Sequence, residues 1–434
     1  MKVNIRSWAL PLGCAVLLLA AFATRDSDTA LPALMLMTAA AALCALVWAL
    51  PATQTPILGR RPEIVWVAGA GVLLAVALAL QPLMLGLSHS STGISGLYDP
   101  SRACLEYLKL AGVVCAFLLA FRISLNDESA RNLLDAVIIA GGGWAAIAIV
   151  LNVLDADVIY GVHKSAGSGR LSGAFSSPNS AGTLFAATSV MAYGRLLSRF
   201  WSMRAPRVFE RIDPLYLGIW LVSLAALVLT MSRMGVVSAA IATLVLTFVL
   251  SWRRAPMKWL LICTGAGAVI LMLGMLSPLL VLVQRVRDLN SDGHARTVIL
   301  SEHMKVAVHQ LWLGSGLGSF NAVNNTILTT ANYIYLSPIR AMHNVYLQWL
   351  EETGIVGLVC LILVNLAVLL PIYQSAQRRQ TMGARLWIVL AAYLVFLIHG
   401  LTDYAFQEPA LELFTAVLLG TGFAMATNSG RMRS

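Results

Sequence analysis

Apolar residues fall along nearly the whole chain in runs of roughly 20, the length that crosses a bilayer as a helix. Such runs lie near 8–23, 31–50, 64–87, 103–121, 132–154, 179–194, 214–231, 234–251, 257–278, 345–372, 386–400 and 410–427. Inside lipid the backbone has no water to bond, so each run predicts a helix. Short segments of alternating polarity, the mark of a membrane β-barrel, are not seen. The stretch 214–251 is too long for one crossing, because a rise of ~1.5 Å per residue carries it far beyond a ~30 Å core. Its only polar interruption is Thr230-Met231-Ser232-Arg233, which predicts a hairpin tip. The pattern defines an all-α integral membrane protein of about twelve transmembrane helices. Helices one to nine occupy 1–278, a long loop follows at 279–343, and helices ten to twelve occupy 344–434.

Composition agrees with the pattern. Of 434 residues, 59% are hydrophobic and 12% charged, against about 25% charge in a soluble domain. The net charge of +10 reads as topology once it is mapped. With the N-terminus placed in the cytoplasm, most of the 30 Lys and Arg fall in the inner loops, among them Arg60, Arg61, Arg122, Arg131, Arg195 to Arg211, Arg253 to Lys258 and Arg378 to Arg385. Both termini then come out cytoplasmic, and no nucleic-acid partner is needed to explain the charge. The first run resembles a signal peptide, but Thr24-Arg25-Asp26-Ser27-Asp28 lacks a small-residue cleavage site, so an uncleaved helix is expected. The six cysteines all lie in predicted spans without metal-ligand spacing, which predicts neither a disulfide framework nor a metal site.

The middles of the spans carry almost no charge. Glu106, Lys109, Asp135, Glu351, Glu352 and Glu412 lie toward span ends. A transporter accepts the cost of ions at the midplane, about 2.5–3.5 kcal/mol each. Their scarcity here points to work at one surface. The outer loops are 155–177 and the much longer 279–343, which contains a predicted amphipathic helix from about His294 to Leu313. A loop of that length is usually functional.

Four outer segments combine helix starts with charge. In the first, Ser177 caps helix six, Pro178 follows, and Arg170 and Asn179 flank the start. Free N–H groups and the dipole at such a start attract an anion, and a capped helix with a solvated arginine is the plainer reading. In the second, Ser232-Arg233 tips the hairpin, where an arginine either snorkels to headgroups or contacts a phosphate. In the third, Arg296 stands at the head of the loop helix with His303 on the same face. In the fourth, His343 stands where helix ten begins, with Leu347 and Glu351 on its stripe and Asn344 and Gln348 beside it. A helix N-terminus favours the neutral imidazole that a general base requires, whereas a hydrogen-bonded loop histidine would be structural. If the starts converge, they form a pocket for a strongly anionic group beside the lipid, for which arginine forks are suited. Outer carboxylates show no metal-ligand spacing, so neither metal nor cofactor is expected. His399 and Asp403 lie four apart and form either an orienting pair or a local salt bridge.

Taken in order, these segments resemble the O-antigen ligase superfamily of bacterial envelope glycosyltransferases. The matching stretches are Arg170 in GRLSGAFSSPNSAG, Ser232-Arg233 in TMSRMG, Arg296 before the loop helix with WLGSGLGSF after it, and His343-Asn344 in HNVYLQWLEETGIVGL. The resemblance covers about 170–360, and the first third of the chain carries none of it. It implies a GT-C-like architecture and a metal-independent, inverting transfer at the periplasmic face of the bacterial inner membrane. The donor would be a glycan on undecaprenyl diphosphate and the acceptor a sugar hydroxyl of lipid A–core. Arg170, Arg233 and Arg296 would hold the diphosphate, and His343 would act as base. Asn344, Gln348, Ser232, Ser177, Asn179 and His303 form a supporting set.

Two relatives share the motifs, an O-antigen polymerase and an O-linked oligosaccharyltransferase. The short tail after Ala426 offers no acceptor domain and favours the ligase. Outside the superfamily, a transporter or lipid flippase would need a gated polar path through the bundle, and an envelope scaffold would tolerate loss of His343.

Overall fold

The computed structural model describes residues 5–25, 29–50, 62–87, 99–164, 169–202, 210, 212–251, 282–337, 339–378 and 382–428, with backbone alone for 5–6, 86–87 and 282–294. Eleven of the twelve predicted runs are helices. They are α1 (Ile5–Ala23), α2 (Ala30–Ala49), α3 (Pro62–Leu87), α4 (Pro100–Ile123), α5 (Asp127–Leu154), α6 (Pro178–Ser202), α7 (Pro214–Leu229), α8 (Arg233–Ser251), α12 (Val345–Arg378), α13 (Gly383–His399) and α14 (Pro409–Thr427). The twelfth, 257–278, lies outside the described residues, as does Cys263. Seven of the described helices are long and apolar enough to cross a membrane. The predicted loop 155–177 contains a two-stranded antiparallel hairpin, β1 (Val158–Ile159) with β2 (Val162–His163).

Helices α6 and α14 are buried on nearly every side and form the centre of the bundle. Around them α4 packs on α14 and α2, α7 on α6, α1 on α5, α13 on α6 and α8, and α12 on α3. Small residues allow the close approaches, as expected where lipid supplies no hydrophobic drive between helices. A Cβ at Gly142 of α5 would lie 2.6 Å from Ile219 of α7. The outward face of α3 instead leaves Val65, Trp66, Val72 and Leu83 exposed, a surface suited to lipid. Lys109 on α4 is buried against Glu106 at 3.0 Å and Glu412 of α14 at 3.7 Å, and donates to the Gln407 carbonyl, which fixes this cluster near one end of the bundle.

Two elements differ from expectation. The loop helix is α9 (Leu282–His309), starting well before His294 and ending before Leu313. Leu282, Val283, Val286 and Leu289 extend its apolar spacing, and one internal glycine, Gly293, costs only about 1 kcal/mol. Arg296 therefore sits inside a helix, where no free N–H group assists it. Short helices α10 (Phe320–Thr326) and α11 (Tyr333–Leu336) complete the long loop.

The second difference is a break in α12 at Gly354, whose φ of 65° and ψ of −173° are open essentially to glycine alone. The break frees the Glu351 and Glu352 carbonyls, which accept from Ser315 N at 2.8 Å and Gly316 N at 2.9 Å, while Ile355 N donates to Leu311 O at 2.7 Å. Gln81 of α3 bonds the Leu313 and Glu352 carbonyls and the Leu317 amide. The GSGLG stretch is thus the clasp that holds the long loop to the break.

Candidate active site

Three helices begin at the same end of the bundle, each capped by its own sequence. Ser177 Oγ accepts from Asn179 N at 3.1 Å at the start of α6, Ser232 Oγ from Gly235 N at 3.2 Å at the start of α8, and Asn344 Oδ1 from Leu347 N at 3.0 Å at the start of α12. The α6 and α8 starts nearly touch, because a Cβ on Gly182 would lie 2.8 Å from Ser232 Cβ. Arg170 ties its loop to the α7–α8 hairpin. Its Nε donates to Thr230 O at 2.9 Å and its Nη2 to Asn179 Oδ1 at 3.1 Å, while Leu171 N donates to Leu229 O at 3.0 Å.

His343 takes a left-handed backbone, with φ of 56°, just before α12. A side chain in that conformation costs energy and is held by its surroundings. Here Asn344 Nδ2 bonds Leu401 O, Val345 N bonds Gly400 O, and Gln348 Oε1 accepts from Met342 N. The ring is 29% exposed, and its Nδ1 lies 3.8 Å from Oδ1 of Asp403, which is 1% exposed. At that distance the contact is electrostatic and not a hydrogen bond. Tyr404 meets the His343 ring edge-on, with centroids 5.2 Å apart, and has Ser176 and Ser177 beside its hydroxyl.

Asp403 stands between two imidazoles. Burial alone would push its carboxyl up, but His343 and His399 beside it outweigh that and hold it below the usual carboxylate value. It is therefore an anion at neutral pH. Burial, with the Asp403 and Glu408 charges nearby, pushes the Tyr404 hydroxyl up, so it stays protonated. His399, at the end of α13, is buried and joins Thr183 through Nδ1 and Ser232 Oγ through Nε2 at 3.4 Å. The chain His343–Asp403–His399–Ser232 thereby connects the starts of α12, α8 and α6.

The remaining predicted residues divide. Arg233 is exposed at the first position of α8, and Arg296 is exposed on α9, close enough for its charge to act on His399. Neither lines the cavity beside His343. His303 is fully buried, with Nδ1 at 2.7 Å from Glu351, Nε2 at 3.2 Å from Asn324 and its ring stacked on Phe320. It pins the long loop to α12, on the opposite exposure from Arg296. Gln348 donates to Glu352 Oε1 at 3.0 Å and holds the turn before His343.

A cavity of 2680 Å³ opens beside this cluster. His343, Arg170, Ser177, Asn179, Tyr404 and Gln348 line its polar end, and it continues between the apolar faces of α3, α4, α12 and α14. Such a shape suits a molecule with a charged head and a long apolar tail. Among the described residues, no three His, Cys, Asp or Glu side chains come together as metal ligands.

Sequence reasoning did not place Asp403 against His343, and did not select Tyr404 or Glu408, whose Oε1 accepts from Ser176 N and Oγ. The available signal was the density of polar groups in LTDYAFQE between two spans.

Fold and site together define a polytopic α-helical membrane protein with a histidine–carboxylate pair and arginines at one end of the bundle, beside a lipid-sized cavity. Residues 218–362 match the sequence model of the family described as O-Antigen ligase, and this match supports membership of the O-antigen ligase superfamily. The matched segment runs from α7 into α12 and contains Arg233, Arg296 and His343 but not Arg170. No curated protein matches the chain. The family implies a glycosyltransferase-like ligase or polymerase acting on lipid-linked glycan and acceptor substrates in a membrane.

Proposed function

We propose that the protein is an O-antigen ligase that moves a glycan from undecaprenyl diphosphate to a sugar hydroxyl of lipid A–core at the periplasmic face of the inner membrane. The observation that carries this reading is the buried Asp403 carboxyl behind His343 at the polar end of a long apolar cavity. With Nδ1 turned toward Asp403, the other ring nitrogen is left for the substrate. It takes the proton of the acceptor hydroxyl as the oxygen attacks the anomeric carbon. Asp403 stabilises the imidazolium that forms. The anomeric bond to the diphosphate breaks on the opposite side, so the configuration inverts. Undecaprenyl diphosphate leaves with the electron pair, and Arg170, Arg233 and Arg296 stabilise its charge without a metal.

Orientation rests on charge. Arg122, Arg195, Arg199 and Arg378 lie at the end of the bundle away from His343, which the positive-inside rule places in the cytoplasm, together with both termini. The apolar cavity beside the base favours a lipid-borne acceptor over a protein one. The test offers a purified preparation one lipid-diphosphate glycan and, in parallel, lipid A–core, a second lipid-linked glycan and a protein. Product on lipid A–core is expected. Product only on the second glycan or on protein makes the enzyme a polymerase or an O-linked oligosaccharyltransferase, and lipid translocation without product makes it a flippase.

A further inference from the structure

Two arginines at the cavity mouth are not used by the mechanism above. Arg102 stands in the first turn of α4, and Arg340 lies three residues before His343. Both are exposed, both line the cavity, and neither side chain has a hydrogen-bond or ion-pair partner among the described residues. The carboxylates at this mouth are committed elsewhere. Asp99 Oδ1 accepts from Ser101 N and Arg102 N to cap α4, and Glu352 accepts from Gly318 N at 2.9 Å and from Gln348. The clasp of the long loop sits directly on the α4 start, since a Cβ on Gly318 would lie 3.0 Å from the Arg102 carbonyl carbon. Asn321 and Asn325 of α10 line the same cavity one helical turn apart, and their amides are likewise unpartnered among the described residues.

We propose that Arg102 and Arg340 form a second phosphate-binding site, distinct from the donor arginines, that takes a phosphate of a phosphorylated glycolipid acceptor while Asn321 and Asn325 face its sugars. The inference rests on the reading of His343 as base. A base must stand against the hydroxyl that attacks, and His343 opens into this cavity, so the acceptor occupies it. Arg233 and Arg296 lie outside it, on the His399 side, which leaves the donor diphosphate to them and to Arg170 at the boundary. Below the mouth the cavity runs between Val67 and Leu74 of α3, Val114 and Leu118 of α4, and Leu361 of α12, a lining that accommodates acyl chains. Guanidinium forks bind phosphate bidentately and remain charged at any working pH, so they can select a phosphorylated headgroup over a neutral one.

The test compares a phosphorylated glycolipid acceptor with its enzymatically dephosphorylated form, using the full-length protein in lipid nanodiscs. In the wild type, loss of the phosphate should raise the acceptor KM by about tenfold, equivalent to about 1.4 kcal/mol. The double variant Arg102→Ala, Arg340→Ala should bring the KM of the phosphorylated acceptor to that of the dephosphorylated one and leave kcat and the donor KM unchanged. Native mass spectrometry of the same two glycolipids on the resting protein provides a readout independent of transfer. Retention of the phosphorylated form, lost in the double variant, supports the site even if no glycan moves and the ligase reading fails. A wild type that does not distinguish the two acceptors in either assay overturns the proposal. So does a double variant whose donor KM rises instead, because the arginines would then serve the diphosphate.

Discussion

Asp403 places a buried carboxylate oxygen 3.8 Å from Nδ1 of His343, across sixty positions of sequence. The pair forms because α12 and α13 are tied end to end. Val345 N bonds Gly400 O, and Tyr346 donates to Leu397 O. Those bonds bring the loop after α13 beneath the turn before α12.

Replacing Asp403 by Asn removes the charge and keeps the shape. Transfer should fall at least about tenfold, with the loss in kcat and not in the donor KM. The stability consequence has a definite sign. The folded pKa of Asp403 lies below its unfolded value of about 3.9, so its contribution is complete above that value and fades as pH falls through the depressed one. The wild type should melt above Asp403→Asn at pH 7, and the gap should close in acid below about pH 4. A gap that is constant across that range contradicts an ionised Asp403.

Arg170 and Arg233 should respond differently although both are proposed to hold diphosphate. Arg170→Ala loses the bonds to Thr230 O and Asn179 as well as donor contact, so it should lower unfolding stability by about 1–3 kcal/mol and raise the donor KM. Arg233→Ala, at an exposed site, should raise the donor KM with little change in melting. Lysine should restore only part of the donor affinity at either position, since it lacks the fork. Donor kinetics and thermal unfolding in detergent separate the two effects.

Gly354→Ala should destabilise the fold by about 1–3 kcal/mol, because φ of 65° with ψ of −173° excludes other residues and the added Cβ meets the Trp312 carbonyl. Limited proteolysis should then cut the long loop near 314–318 faster than in the wild type. Unchanged melting and protease resistance would show that the break is not required.

Full transfer should persist in a chelator, since arginine charge does the work assigned elsewhere to a divalent ion. Loss of activity on chelation, restored by adding back Mg²⁺ or Mn²⁺, contradicts that assignment.

The spans were legible because a run of about twenty apolar residues has few other structures open to it. The hairpin at Ser232 and the caps Ser177 and Asn344 were legible too, as local signals of residue type and position. The break at Gly354 was hidden inside an apolar run, where a left-handed glycine leaves no mark on hydropathy. The helix α9 starts before His294 because the glycine at 293, a residue type that commonly marks a boundary, is tolerated within it. His303 and Arg296 share a helical face by spacing, yet Glu351 and Asn324 bury one and leave the other exposed. Spacing pairs Asp403 only with His399, four residues away, because a contact with His343 depends on how two distant helices meet.

The role of His343 as base is tested by glycan transfer to lipid A–core by His343→Asn, an exchange that tolerates the left-handed backbone and removes the base. A fall in kcat of about 10²–10⁴-fold is expected, with the donor KM and melting temperature near those of the wild type. Transfer at the wild-type rate by this folded variant would contradict that role.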